Sequence, residues 1–460
     1  MGILNVRPDT GLSGTPMKIS GSGLAKNADV TLTWSTADAT WDVEADPGTV
    51  NYLGREATKL NVVLKKLSTD SKGSFGTTIK APNDWGGLHD IYAVVNGEQV
   101  AHGGFLTGRK FTISPHSGPI GTPIKITYTG LKASLYDGGG ALLYDNKAVG
   151  ELMANWTRGT ARAVIRASGP VGKHTLEIGD AVGNLYMNLQ QAPDAWAVGG
   201  TQTFTVTKDN GRPKNSINWP VKVRPTVSER TTLDAGNVSG SGVHMKLAST
   251  SGQVKSRVKL TASGLTQHQA VSMEWSTVVG SRVNCTSVCW AFVSLPLGHF
   301  TPKNSTFSTK ITVPDNLGGW HVVQLIQGGK TVAQTPFYVK ESIVGKGVSS
   351  LVVREGQHFT VHLKGVGWTQ LDNTVGVDYD NSFIGYGCGF ASNGDVVLNL
   401  HATGGPGTHL IDLYPMLYTL QPSFANTPYG LLPVLTYARD YPGLAMGYQL
   451  PAIRLAMTIK

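Results

Sequence analysis

Charge is what this 460-residue sequence has least of: Asp, Glu, Lys and Arg make up 15% of it, against about 25% in an average soluble protein. A helix bundle covers its surface with Glu, Lys and Ala, so this composition argues against one. Cysteine is nearly absent as well. Cys285, Cys289 and Cys388 are the 3 thiols, an odd number at wide spacing that builds neither a disulfide framework nor a zinc cluster. Cys285 and Cys289 flank only Thr286-Ser287-Val288, and a tight turn there would let them form a disulfide. Cys388, within Gly385-Tyr-Gly-Cys-Gly-Phe390, reads as a small buried apolar residue. No apolar run reaches the ~20 residues of a membrane span. The opening Met1-Gly2-Ile3-Leu4-Asn5 shows no basic stretch followed by an apolar core. Either a signal was removed or none was used, as in a virion component assembled inside its host.

Motifs for chemistry are equally scarce. The sequence has no Gly-x-Ser-x-Gly elbow and no phosphate-binding or dinucleotide glycine pattern. Ser256-x-x-Lys259 lies in an alternating segment without partner motifs. His358 and His362 are four apart on an expected strand, about 13 Å from one another and too far to share a metal. Asp378, Asp380 and Asn381 offer oxygens that suit calcium, but the matching segment Tyr144-Asp145-Asn146 has only one acid. Sequons at Asn155, Asn237, Asn284 and Asn304 matter only in a cell that glycosylates. The expectation is a protein without catalytic residues, metal or cofactor.

Glycine and short-period repetition are abundant. Gly supplies 57 residues, about 12% against ~7% in average usage, which suits short strands joined by tight turns. Two long-range repeats stand out. Ser20-Gly-Ser-Gly-Leu24 and Asp29-Val-Thr-Leu-Thr-Trp-Ser-Thr36 recur 241 residues later as Thr261-Ala-Ser-Gly-Leu265 and Ala270-Val-Ser-Met-Glu-Trp-Ser-Thr277. Phe75 to Pro82 and Gly86-Gly-Leu-His89 recur 232 residues later as Phe307 to Pro314 and Gly318-Gly-Trp-His321. Tyr144-Asp-Asn146 and Arg166 to His174 recur at an offset of 235 as Tyr379-Asp-Asn381 and His401 to His409. The order is A-B-A′-B′, a duplicated pair. Val30, Leu32 and Trp34 alternate with polar neighbours, as do Val271, Met273 and Trp275. Period-two alternation marks strands with one buried face. Trp34 and Trp275 should then fill the space between two sheets. His89 with His321, and His174 with His409, hold equivalent repeat positions, which favours a packing role for each.

Val6-Arg-Pro-Asp-Thr-Gly-Leu-Ser-Gly-Thr-Pro16 and Ile113-Ser-Pro-His-Ser-Gly-Pro-Ile-Gly-Thr-Pro123, each running into a strand and a Gly-Leu corner, resemble the opening of IPT/TIG-type immunoglobulin-like domains of microbial surface proteins. The motif is degraded at Ser249-Thr-Ser-Gly252 and barely present in the fourth repeat. The resemblance implies sandwiches used as spacers or binding modules. The expected fold is all-β: four tandem immunoglobulin-like β-sandwich domains in an A-B-A′-B′ duplication. The boundaries are 1–112 (A), 113–208 (B), 209–244 (linker), 245–340 (A′) and 341–460 (B′ with a Tyr/Pro-rich insertion).

Two features bear on partners. The net charge of +9 is concentrated in 245–340, where 9 Lys/Arg face 2 Asp/Glu, whereas 341–460 has 6 against 8. A basic third domain attracts an anionic glycan or an acidic protein surface; a plain solvated face is the competing reading. The insertion carries Tyr414, Tyr418, Tyr429, Tyr437, Tyr441 and Tyr448 among prolines. Such residues suit a partner contact, or else a cap on their own domain. The leading functional expectation is a non-catalytic extracellular or cell-surface protein that self-assembles into a layer or filament, with no specific nucleic acid and no membrane span. A phage or virion decoration or fibre protein is the second reading. A glycan-binding adhesin with Trp85 and Trp320 stacking on sugars is the third.

Overall fold

The computed structural model describes all residues except 1, 47–48, 134–138, 183, 186–189, 191–199, 222–237, 239, 281–289, 349–350, 418–431 and 438. The chain is all-β, and among the described residues its helical content is limited to short 3-10 turns. Among the described residues eight sheets fall into four pairs, each joining a three-stranded sheet to a five- or six-stranded one.

In A the small sheet is Ile3–Arg7, Pro16–Ser22 and Phe75–Lys80. The large sheet runs Thr10–Gly11, Glu98–Thr107, Gly87–Val95, Asp29–Asp46, Thr49–Ser68. A′ repeats this order. Its small sheet is His244–Leu247, Arg257–Ser263 and Thr306–Thr312. Its large sheet is Ser251–Gln253, Lys330–Lys340, Gly319–Gln327, Val271–Gly280, Trp290–Phe300. B pairs Lys110–Ser114, Pro123–Thr129 and Thr160–Arg166 with a sheet ordered Ser117–Gly118, Thr201–Val206, Gly172–Val182, Gly139–Tyr144, Lys147–Met153. B′ pairs Ser342–Val348, His358–Lys364 and Val396–His401 with Ser216–Asn218, Ala452–Ile459, Gly407–Pro415, Thr374–Tyr379, Ser382–Cys388.

One device recurs in all four sandwiches. A short piece of chain leaves the small sheet and pairs in parallel with the last strand of the large one. Thr10–Gly11, Ser117–Gly118, Ser251–Gln253 and Val352–Val353 play this part. The Pro-x-x-Gly-x-x-Gly openings of A and B lie at this switch. Gly14 and Gly121 there hold φ values of +86° and +85°, a left-handed turn that a Cβ would strain.

The alternation read from the sequence becomes a core between two sheets. In A, Met17 and Ile19 of the small sheet meet Leu32, Trp34, Ile91 and Phe105 of the large one. In A′, Leu260 and Ile311 meet Trp275, Val323 and Phe337. Trp34 and Trp275 are both fully buried, and their rings pack tilted on Phe105 and Phe337. In B′, Phe359, Val361 and Leu363 meet Val377, Ile411, Leu413 and Leu455.

The chain forms two compact units. The first contains 1–42, 54–208 and 425–440, and the second 43–53, 209–424 and 441–460. Two contacts bear on the expected boundaries. The start of the expected linker is built into B′: Ser216–Asn218 pairs antiparallel with Ala452–Ile459, and Asp209 accepts the Thr408 N–H at 2.7 Å. Backbone donors left open at the edge of the last strand are satisfied in this way. The Tyr/Pro insertion is divided between the two units rather than belonging to B′ alone.

Candidate functional site

The repeated histidines, expected in a packing role, each hold a packed bond set. His89 stacks on Trp34 with ring centroids 4.2 Å apart. Its two nitrogens face the Ser35 and Trp85 carbonyls at 2.7 and 2.8 Å. His321 stacks on Trp275 at 4.8 Å and faces the Ser276 and Leu317 carbonyls. Burial pushes the His321 imidazole down to about 4, so it stays neutral at physiological pH. In B and B′, His174 and His409 stack on Tyr144 and Tyr379. Each bonds an aspartate at 2.6 Å, Asp145 and Asp380 respectively, and a loop carbonyl, of Pro170 or Gly405. Burial opposes charge on His409, but the Asp380 carboxylate outweighs it and the pKa is raised. All four pin a loop to a strand. Asp380, a calcium candidate by sequence, is spent on His409 and on the Leu410 N–H at 2.8 Å. Asp378 is buried with both carboxylate oxygens unpaired, and burial followed by the Asp412 charge holds its pKa well above the carboxylate range. Among the described residues no three His, Cys, Asp or Glu side chains converge as metal ligands.

The two tandem tryptophan devices differ in one instructive way. Trp34 donates its Nε1–H to Asp84 at 2.9 Å. In A′ the corresponding residue, Asn316, accepts instead from Thr277 Oγ1 at 3.2 Å. The Trp275 Nε1–H is left buried without a partner.

The four described tyrosines of the insertion are not exposed, so those four offer no outer contact surface. Tyr414, Tyr437, Tyr441 and Tyr448 are all buried; Tyr418 and Tyr429 lie outside the described residues, as do Cys285 and Cys289. Tyr414 packs its ring 4.6 Å from the Arg454 guanidinium, which also holds Asp412 at 2.8 Å. The Tyr441 hydroxyl donates to the Leu371 carbonyl. A 3-10 turn, Pro442–Met446, begins at a proline and ends at Gly447 with φ +75°. The described part 441–450 packs on the A′ sheet, where Trp320 Nε1 donates to the Met446 carbonyl and the Gln449 N–H donates to the Tyr338 hydroxyl; a phenol buries much apolar area and still finds one hydrogen bond. Cys388 is a free thiol, half-buried.

Upstream, the insertion closes a sheet edge in the first unit. Glu151 donates its N–H to the Pro433 carbonyl at 2.7 Å, and Leu435 donates to the Glu151 carbonyl at 2.9 Å. This parallel addition covers the outer edge of Lys147–Met153. Asp440 then accepts N–H groups from Trp41 Nε1 at 3.2 Å, Trp156 at 3.1 Å and Asn155. Burial pushes its carboxyl up to about 7 despite those donors. In the second unit Asp372 is pushed up to about 7 and Glu341 to about 8, each by burial first, with the Asp372 charge adding to the effect on Glu341.

Surfaces remain. The outer face of the small A′ sheet gathers Lys246, Lys259 and Lys310, with Lys259 directly opposite Lys310; all three are exposed. The edge strand Trp290–Phe300 carries no charged side chain, and its Phe292 is 44% exposed. Of the two tryptophans suggested for sugar stacking, Trp85 is buried and Trp320 is half-buried. Trp85 is 3% exposed with Nε1 donating to the Ala37 carbonyl at 2.8 Å. Trp320 Nε1 donates to the Met446 carbonyl at 3.2 Å. No helix among the described residues is long and apolar enough to cross a membrane.

No family model and no curated protein matches the chain. Solved structures that it resembles include native Escherichia coli alpha-2-macroglobulin, at 8% identity over 98% of this chain and 30% of that one, TM-score 0.18. Others are a putative membrane-anchored protein from Corynebacterium diphtheriae (14%, 74% and 89%, TM-score 0.18) and the Yersinia pseudotuberculosis adhesin InvE (12%, 50% and 58%, TM-score 0.15). The chain spans under a third of the length of the alpha-2-macroglobulin. Likenesses this distant carry no functional argument.

Proposed function

We propose that the chain is a non-catalytic extracellular or cell-surface structural protein of IPT/TIG-type sandwiches, and that it assembles with itself into a layer or filament by strand addition. The observation that carries this is the contrast between two equivalent sheet edges. Thr49–Ser68, the outer strand of A, bears Arg55, Glu56, Lys59, Lys65 and Lys66, the charged guard that blunts an open edge. Its counterpart Trp290–Phe300 in A′ bears none and ends its sheet among the described residues. An edge without charged side chains, here interrupted by Pro296, offers main-chain N–H and C=O groups to a second chain over Trp290–Leu295. The absence of an enzymatic role is supported by the repeated histidines, whose bonds are all spent on packing. Sedimentation velocity and electron microscopy of the purified chain test the reading. Polymers that disappear in Phe292→Lys with Ser294→Lys are the expected result; a monomer at every concentration would refute it.

The lysine row on A′ favours a second role, binding of an anionic glycan or acidic protein surface. Retention on heparin should fall in Lys259→Glu with Lys310→Glu, and equal elution would remove that role.

A further inference from the structure

Strand register brings together residues that spacing along the chain keeps apart. In B′ the small sheet pairs His358–Lys364 antiparallel with Val396–His401, and His358 stands directly opposite His401. Side chains opposite each other in such a pair leave the same face, with Cβ atoms about 4.5–5.5 Å apart. Phe359, Val361 and Leu363 belong to the core, so His358 points outward. Both imidazoles are exposed, and their ring centroids lie 3.7 Å apart at an interplanar angle of 47°. The four-residue spacing excludes a metal shared with His362, whose Nε2 meets Asp395, but the fold supplies His358 with a different partner.

Two contrasts set this pair apart from the other histidines. The four repeated histidines are buried, and their nitrogens are spent on carbonyls or a carboxylate. Among the described residues neither the His358 nor the His401 ring makes a hydrogen bond or an ion pair, so their nitrogens face solvent. The second contrast is with B. At the offset of 235 the two positions are Pro123 and Arg166, which also stand opposite each other. Both positions are histidine in the second copy and neither is in the first.

We propose that His358 and His401 chelate one transition-metal cation, Cu²⁺ most tightly and Ni²⁺ or Zn²⁺ less so, with water in the remaining positions. Imidazole nitrogen suits these ions, whereas Ca²⁺ and Mg²⁺ take oxygen. Of the divalent first-row metals Cu²⁺ binds a given nitrogen site most strongly. Bond lengths of about 2.0–2.1 Å place two nitrogens on one ion roughly 3–3.5 Å apart. Rings with centres 3.7 Å apart reach that spacing by rotating about their side-chain bonds, which are free to turn at an exposed site. No third His, Cys, Asp or Glu joins the two among the described residues, so the ion bridges two strands through two ligands. The pair lies on a different sheet from the edge strand Trp290–Phe300 of the self-assembly reading, and either can fail without the other.

The test titrates CuCl₂ into the full chain by isothermal titration calorimetry, in a buffer that does not bind copper. The expected result is a leading site of one ion per chain that His358→Gln and His401→Gln each weaken by about tenfold or more. Removing a group that only supports a metal ligand already costs about 10–100-fold in affinity. His116→Gln, at another exposed histidine, should leave the site unchanged. His358 and His401 are surface residues, so circular dichroism should show both variants folded. Pulsed electron paramagnetic resonance of the wild-type chain with one equivalent of Cu²⁺ needs no variant, and it should show two coordinated imidazoles. A single imidazole or none overturns the proposal, as does equal copper affinity in the wild type and in the variant carrying both substitutions.

Discussion

Replacing Trp368 with alanine should open in the second unit a sheet face that the first unit leaves exposed at Leu88 and Leu106. Trp368 is 5% exposed and joins the cluster with Val278, Leu317, Val322 and Phe390. An indole buries about 200 Å², which at about 25 cal/mol per Å² gives a ceiling near 5 kcal/mol. A compact denatured chain lowers that figure, whereas the cavity left behind raises it. The expected loss for Trp368→Ala is therefore about 3–5 kcal/mol. Urea unfolding of the full chain, followed by far-UV circular dichroism, measures it. With two units the transitions need not coincide, so the midpoint to follow is the one that Trp368→Ala moves. Trp368→Phe, which keeps a ring in place, should lose less than half as much. A loss below about 1 kcal/mol, within the range of a surface substitution, would refute the reasoning, because the indole would then not be packed.

Three other outcomes follow from the same geometry. Trp34→Phe should cost about 1.5–3 kcal/mol more than Trp275→Phe, since only Trp34 gives up a hydrogen bond to a carboxylate; equal midpoint shifts would contradict this. Asp372, Glu341 and Asp440 have folded pKa values raised to about 7, 8 and 7. Each contributes most at acid pH, and each loses stability as pH rises from its unfolded value near 4 to its folded one, by up to about 1.4 kcal/mol per pH unit. Thermal midpoints should therefore be higher at pH 5 than at pH 8.5, and a flat profile would contradict the burial of these acids. His409 has its pKa raised by Asp380, so that bond stabilises below pH 6.5 and the benefit is lost as pH rises through the folded pKa. Asp380→Asn should cost more at pH 6 than at pH 9 and should lower the His409 pKa read by NMR.

Much of this architecture was legible in the sequence, for a physical reason. A strand with one buried face alternates side chains, so the matching Trp34 and Trp275 segments carried both the period and the duplication. The equivalence of His89 with His321, and of His174 with His409, likewise marked packed positions before any coordinates. The insertion was read less well. Tyrosine enrichment looks the same in a protein contact and in a lid over the chain's own sheets, because both use a large ring with one polar end. Only burial separates the two cases. Sequence also could not foresee that Ser216–Asn218 would join a sheet in B′, since three residues among Pro and Lys carry no detectable alternation. The exposed face of A was hidden for a related reason. Leu88 and Leu106 read as ordinary strand residues until they are set beside Trp320 and Tyr338 at the same register.

The central claim is that two copies of one sandwich pair differ in how one sheet face is covered, buried at Val322 and Tyr338 in the second copy and exposed at Leu88 and Leu106 in the first. Hydroxyl-radical footprinting of the native chain by mass spectrometry tests it directly. Leu88 and Leu106 should be oxidised rapidly while Tyr338 and Tyr448 stay protected until the protein unfolds. Protection of the leucines, or equal labelling of both faces, would contradict the account.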